Sequence, residues 1–171
     1  MSHRFNSLAK RGLPGYVRTA FAAVRALRAE RVCITSCNFR DEFDVLLVAV
    51  ANSDQYGNNA RIAPGARVDD GLLDLVAVAP VGFFGAALLA VRLFTGTLDE
   101  SSGVRRLRGR RFVIDRVAPG LIHTDGETHP AGARVEVAVH PRSLRVLVPA
   151  ASRAAARPVD PAPAGFAFQL P

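Results

Sequence analysis

Apolar residues recur at helical spacing near the start of the chain. Val17, Ala20, Phe21, Val24 and Leu27 fall on one side, and Arg18, Arg25 and Arg28 on the other. The pattern predicts an amphipathic helix over 14–30, with Pro14 at an early position where its missing N–H costs nothing. Its stripe is expected to pack on a core; a membrane surface is the alternative contact for its arginine face. Strand-like runs follow at 31–36 and 44–51, the second apolar on both faces and so placed in a core. Residues 52–59 read as a polar loop, 60–63 as a short strand and 72–79 as a third clear strand. A second helix is predicted over 80–95, with Phe84, Leu88 and Val91 sharing one face and Phe83, Ala87 and Phe94 beside them. That arc is broad enough to pack on one side and meet something apolar on the other.

The rest is β-rich. Strands are expected at 112–116, 121–124, 134–140 and 143–148, the last two forming a hairpin around His140-Pro141-Arg142. In the approach to the first of these, Arg106, Arg108 and Arg110 point the same way if the chain is extended. Charge of that kind usually blunts a solvated edge strand; anionic headgroups are the alternative contact. The fold class is α+β, mainly β: a two-sheet β-sandwich-like domain with about two packed helices. It is expected to occupy 1–149, with 150–171 a flexible tail rich in alanine and proline.

The 171 residues, 49% apolar and 22% charged, suffice for one domain with a core. No apolar run reaches the ~20 residues that span a bilayer, and the first residues lack the apolar centre of a signal peptide. A cytoplasmic protein is the expectation. The formal charge is +7, with Lys10 the only lysine. Such a balance suits nucleic acid, an anionic membrane surface or a phosphorylated ligand. Nucleic acid is not expected, because no aromatic residues are interleaved to stack on bases. Cys33 and Cys37, on one strand, would lie roughly 13 Å apart, too far for a disulfide.

Two stretches carry the candidate chemistry. Residues 61–74 hold Pro64, two glycines and Asp69-Asp70 before an apolar run. Asp-Gly is a turn signal in its own right. A carboxylate beside turned-out backbone carbonyls is also the oxygen set that Mg²⁺ or Ca²⁺ accepts. In 123–129, His123, Asp125, Glu127 and His129 would share a face if the chain stayed extended, but Asp125-Gly126 should turn it. A surface hairpin turn and a glutamate placed as general base are the two readings there.

Together these stretches resemble a known family. The run Tyr56-Gly57-Asn58-Asn59-Ala60-Arg61-Ile62-Ala63-Pro64-Gly65-Ala66-Arg67-Val68-Asp69-Asp70-Gly71-Leu72-Leu73-Asp74, with its lead-in from Val50, resembles the bacterial lipid kinases of the diacylglycerol kinase family. These are related to sphingosine and ceramide kinases and, more distantly, to NAD kinases. Asp125-Gly126-Glu127 stands where that family carries its Asp-Gly-Glu motif. The likeness covers about 5–149 and corresponds to the family's C-terminal β-sandwich domain. The Gly-Gly-Asp-Gly-Thr motif of its ATP-binding domain does not occur in these residues.

The resemblance implies ATP-dependent phosphorylation of a lipid hydroxyl at a membrane surface, as a step of phospholipid metabolism. ATP would be held mainly by a nucleotide-binding domain supplied in cis or in trans. Glu127 would be the proton acceptor, and Asp125 would position Glu127 or the magnesium of the active site. A structural Mg²⁺ would use the Asp70 carboxylate and the backbone carbonyls of Arg67 and Leu72. Peripheral association with the inner membrane surface follows, with helix 80–95 a candidate wall for an acyl chain. A homodimer stays open. The alternative function is a non-catalytic module that binds lipid or a partner. One departure concerns Asn58 and Asn59, where the family often has glycines; asparagine tolerates positive φ but adds bulk.

Overall fold

The protein is described by a computed structural model covering residues 28–37, 39–147 and 149. The helix expected over 14–30 lies outside the described residues up to Leu27, and its expected last residue, Glu30, already belongs to a strand. The tail from 150 also lies outside. Strands β1 (Glu30–Ser36), β2 (Phe39–Val45), β8 (Arg111–Arg116) and β11 (Arg134–Ala138) form an antiparallel sheet in the order β11-β8-β1-β2. Strands β3 (Leu47–Ala51), β6 (Leu73–Val78) and β7 (Val104–Gly109) form a second, in the order β3-β6-β7. Two ribbons stand apart, β4 (Gln55–Gly57) with β5 (Ala60–Arg61), and β9 (Gly120–Thr124) with β10 (Glu127–Ala131).

The two larger sheets face each other across one core. Val32 and Ile34 of β1, Phe112 and Ile114 of β8, and Leu73, Leu75 and Ala77 of β6 meet there. Ile34, Leu75 and Phe112 are fully buried, each contributing about 1.5–3 kcal/mol of transfer free energy. A second cluster, with Val76, Val104, Ile62, Ala63 and Leu98, lies on the other side of the β3-β6-β7 sheet, where Leu89 and Leu93 of helix α1 (Phe83–Thr95) cover it. The mainly-β, two-sheet architecture expected from the sequence is the one found.

The differences are local and have physical causes. The run expected as one strand over 44–51 is two. Leu46 breaks it, its N–H bonding the Val78 carbonyl at 2.8 Å, and the chain passes from one sheet to the other. An apolar run buried from both sides conceals such a switch. Strand β2 was not expected; its alternation of Phe39 and Phe43 with the exposed Arg40, Glu42 and Asp44 is nevertheless the period of a half-buried strand. Arg110 does not share a face with Arg106 and Arg108, because it sits at the corner between β7 and β8. No strand forms over 143–147. Arg142 adopts φ 58° in a turn, β11 remains the sheet edge, and Leu144, Val146 and Leu147 are exposed. Cys33 and Cys37 are both free, Cys37 lying in the turn after β1.

Candidate functional site

The stretch 52–74 is built from three tight turns. Asn58 and Asn59 take φ 47° and 62° and close the β4–β5 ribbon. Both asparagines thus adopt the left-handed conformation a glycine would otherwise supply, and the loop forms without it. Next, Ala66 N–H bonds the Ala63 carbonyl at 2.9 Å around Pro64 and Gly65 (φ 76°), the residue types a type II turn requires. Finally, the Asp70 Oδ1 accepts the Leu72 N–H at 2.9 Å across Gly71 (φ 70°), and β6 begins at Leu73.

That last turn delivers Asp74 to a buried position on β6, where only a paired carboxylate is stable. Its partners come from β7. Arg106 donates to Asp74 Oδ1 from Nε at 2.9 Å, and Arg108 Nε lies 3.2 Å from the same oxygen. Arg106 also donates to the Pro64 carbonyl at 2.6 Å and to Asp99 at 3.2 Å. Arg108 turns its Nη2 to Asp70 Oδ2. The arginines expected to coat a solvated edge therefore do sit on an edge strand, but face inward over their own sheet and tie the 61–74 loop to it. Nearer the surface, Arg67 grips Asp69 through two bonds of 2.9 Å, and this hydrogen bonding holds the Asp69 carboxyl below its ordinary range.

The cluster bears on the metal expected at Asp70. Both Asp70 oxygens meet proton donors, Oδ1 the Leu72 N–H and Oδ2 the Arg108 guanidinium. Each oxygen keeps a further lone pair, but the Arg108 guanidinium on Asp70 already supplies positive charge where a divalent ion held with the Arg67 and Leu72 carbonyls would sit, and so opposes it. Among the described residues no three His, Cys, Asp or Glu side chains gather as a metal site.

The second candidate region contrasts with this. Asp125 (φ 50°) and Gly126 (φ 89°) form a two-residue turn with both φ positive, for which Asp-Gly is a favoured sequence. It joins β9 to β10 in a ribbon that pairs Thr124 with Glu127 and His123 with Thr128. The alternation of His123, Asp125, Glu127 and His129 is broken at the turn, as expected. Ribbon residues 123–130 are all exposed. Among the described residues the Asp125 and Glu127 carboxylates accept no hydrogen bond and join no ion pair. At the ribbon's base Arg116 donates to the Gly132 carbonyl at 2.6 Å and the Ala131 carbonyl at 3.3 Å, fixing where the ribbon leaves the sandwich.

A two-sheet sandwich with an exposed Asp-Gly-Glu ribbon can be set against known proteins. The family model for the YegS C-terminal NAD kinase beta sandwich-like domain matches residues 3–148. The chain belongs to this YegS C-terminal domain family. A probable lipid kinase YegS-like from Pseudomonas aeruginosa (strain UCBPP-PA14) is 32% identical over 142 residues, which is 82% of this chain and 46% of that protein. A probable lipid kinase YegS from Escherichia coli O9:H4 (strain HS) is 27% identical over 140 residues, 81% of this chain and 44% of that one. The chain thus spans under half the length of these YegS relatives. Two solved chains from Bacillus anthracis str. Sterne share the fold. One, a diacylglycerol kinase, aligns with TM-score 0.51 at 16% identity over 74% of this chain and 48% of its own. The other reaches 0.55 at 20% identity over 69% and 41%.

Within this YegS-type domain the structure gathers Asp70, Asp74, Asp99, Arg106 and Arg108 into one network. It joins neither Asp125 nor Glu127 to that network by a hydrogen bond or ion pair among the described residues. Asp74, Asp99, Arg106 and Arg108 were not singled out as a unit by the sequence. The signal was present: an aspartate inside an apolar strand demands a partner, and two arginines at strand spacing can supply it.

Proposed function

We propose that this chain is the C-terminal part of an ATP-dependent lipid kinase that transfers the γ-phosphoryl group of ATP to a lipid hydroxyl. The observation that carries this reading is Glu127. Its carboxylate is exposed beside a fixed two-residue turn and, among the described residues, takes no hydrogen bond or ion pair, in a chain of the YegS C-terminal family. A general base must keep its oxygen available to the proton it removes, and Glu127 does so. The lipid hydroxyl gives its proton to Glu127 while its oxygen bonds to the γ-phosphorus, and the bond from that phosphorus to the departing ADP oxygen breaks. Asp125, on the same turn, orients Glu127 or the magnesium that accompanies ATP. When bound, magnesium neutralises phosphate charge; the remaining work is positioning, which a cleft closed between two domains supplies. ATP is held mainly by a nucleotide-binding domain in cis or in trans. The lipid is met at a membrane surface, with the protein peripheral to it.

The test is to join this chain to the nucleotide-binding half of a YegS relative and incubate it with radiolabelled ATP, magnesium and diacylglycerol vesicles. Label transferred to the lipid, and absent when either half is omitted, is expected. If several lipid alcohols all stay unlabelled although the joined protein binds ATP, the kinase reading falls, leaving a non-catalytic lipid- or partner-binding module.

A further inference from the structure

Strand pairing divides the side chains of the β9–β10 ribbon between two faces. Thr124 stands opposite Glu127 and Ile122 opposite His129, while His123 stands opposite Thr128 and Leu121 opposite Pro130. Alternation then puts Ile122, Thr124, Glu127 and His129 on one face, and Leu121, His123, Thr128 and Pro130 on the other. One contact agrees with the split: the His123 ring nitrogen Nδ1 lies 3.3 Å from the Thr128 hydroxyl. The faces also differ in exposure. Leu121 is 66% exposed, whereas Ile122 is half-buried, as are Gly120 and Ala131 at the base of the Glu127 face. The Glu127 face is the more sheltered of the two.

The two histidines of the ribbon thus have different neighbours. His123 is engaged with Thr128. His129 shares the face of Glu127 and, among the described residues, takes no hydrogen bond or ion pair. Two residues apart on one strand, Glu127 and His129 have Cα atoms roughly 7 Å apart. A carboxylate only accepts, whereas a neutral imidazole carries an N–H that donates. The pair therefore sets a donor beside a proton acceptor. A lipid alcohol that presents its hydroxyl to Glu127 brings the substituent of its adjoining carbon within reach of His129. An ester or amide carbonyl there accepts without donating, so it suits the imidazole N–H. Ile122, opposite His129, supplies apolar surface for the chain beyond that carbonyl. Thr124, opposite Glu127, has a hydroxyl that both donates and accepts and so discriminates little.

We propose that His129 is a specificity-determining residue of the lipid site: its ring N–H holds a carbonyl oxygen next to the reacting hydroxyl, so that acylated alcohols are preferred to ether-linked ones of the same shape. The inference rests on the kinase reading, in which Glu127 takes the hydroxyl proton.

The test uses this chain joined to the nucleotide-binding half of a YegS relative, with dioctanoylglycerol and its ether analogue dioctylglycerol in phosphatidylcholine vesicles. Two quantities are read for each lipid: equilibrium binding without ATP, and phosphorylation with radiolabelled ATP and magnesium. His129→Ala should weaken binding of the ester about three- to ten-fold, the loss expected for one neutral hydrogen bond. It should raise the KM for the ester by the same factor and leave the ether unchanged. His129→Gln, which keeps an N–H donor, should restore most of the preference. His123→Ala, on the other face, should leave it intact. The inference is overturned if the unsubstituted protein binds neither lipid or shows no ester preference, or if that preference survives His129→Ala. It is also overturned if both lipids lose equally, which would assign His129 to the phosphoryl group or to folding. The kinase reading fails separately: an ester preference in binding that depends on His129, with no label transferred, keeps the lipid contact and removes the chemistry.

Discussion

The 61–74 loop and the β9–β10 ribbon each contain an Asp-Gly turn, yet their carboxylates have opposite circumstances. Asp70 and Asp74 are buried or nearly so and paired with Arg106, Arg108 and the Leu72 N–H. Asp125 and Glu127 stand in solvent on a two-stranded ribbon. A carboxylate paired with cationic side chains inside the fold holds structure together and is poorly placed to accept a further proton. A carboxylate held out on a defined turn contributes little to folding and is available for chemistry. The same dipeptide thus sits in two environments, and what differs is whether cationic side chains on a neighbouring strand reach it.

This contrast can be broken by substitution. On the stability side the largest effect is expected at Asp74. Asp74→Ala leaves the Arg106 guanidinium largely buried without its main partner and should cost about 3–5 kcal/mol in urea unfolding. A loss below 1 kcal/mol would show that the network does not hold the loop. In the ribbon, Gly126→Ala places an L-residue at φ 89° and should cost about 1–2 kcal/mol. The loss should appear as roughly ten-fold faster amide exchange in β9 and β10, with the global unfolding midpoint unmoved. A shifted midpoint would mean that the ribbon folds with the sandwich as one unit.

Arg108 sharpens the comparison further. With its guanidinium on Asp70, added magnesium should leave the melting temperature of the chain unchanged, while Arg108→Met should create a magnesium-dependent rise. A rise in the unsubstituted chain would mean that the ion displaces Arg108 and that Asp70 is a ligand after all. The smallest effect concerns Asp69. Its carboxyl is lowered by the Arg67 hydrogen bond, so the stabilisation is present above the ordinary carboxylate range and lost as pH falls through the lowered value. Carboxyl NMR should place its midpoint below 3.8, and at 3.8 or above in Arg67→Ala.

Much of this was legible in the residues. Period-2 alternation and apolar runs mark β1, β6 and β8, and the helical arc of Phe84, Leu88 and Val91 marks α1. Asp125-Gly126 announced its turn. What stayed hidden depends on partners distant in sequence. The break at Leu46 is set by a bond to Val78, thirty-two residues on. The run 143–147 has strand composition, yet among the described residues nothing pairs with β11 on that side. The arginines of β7 look like surface charge until Asp74 is seen beneath them. Glu127 is singled out by its motif, and among the described residues its carboxylate takes no hydrogen bond or ion pair.

The claim that Glu127 serves chemistry and not folding is tested most directly by Glu127→Gln in the chain joined to a nucleotide-binding half. Lipid phosphorylation should fall by about 10²–10⁴-fold, with the urea midpoint of the domain unchanged. Full activity in that variant, or a loss of activity that merely follows unfolding, would contradict the account.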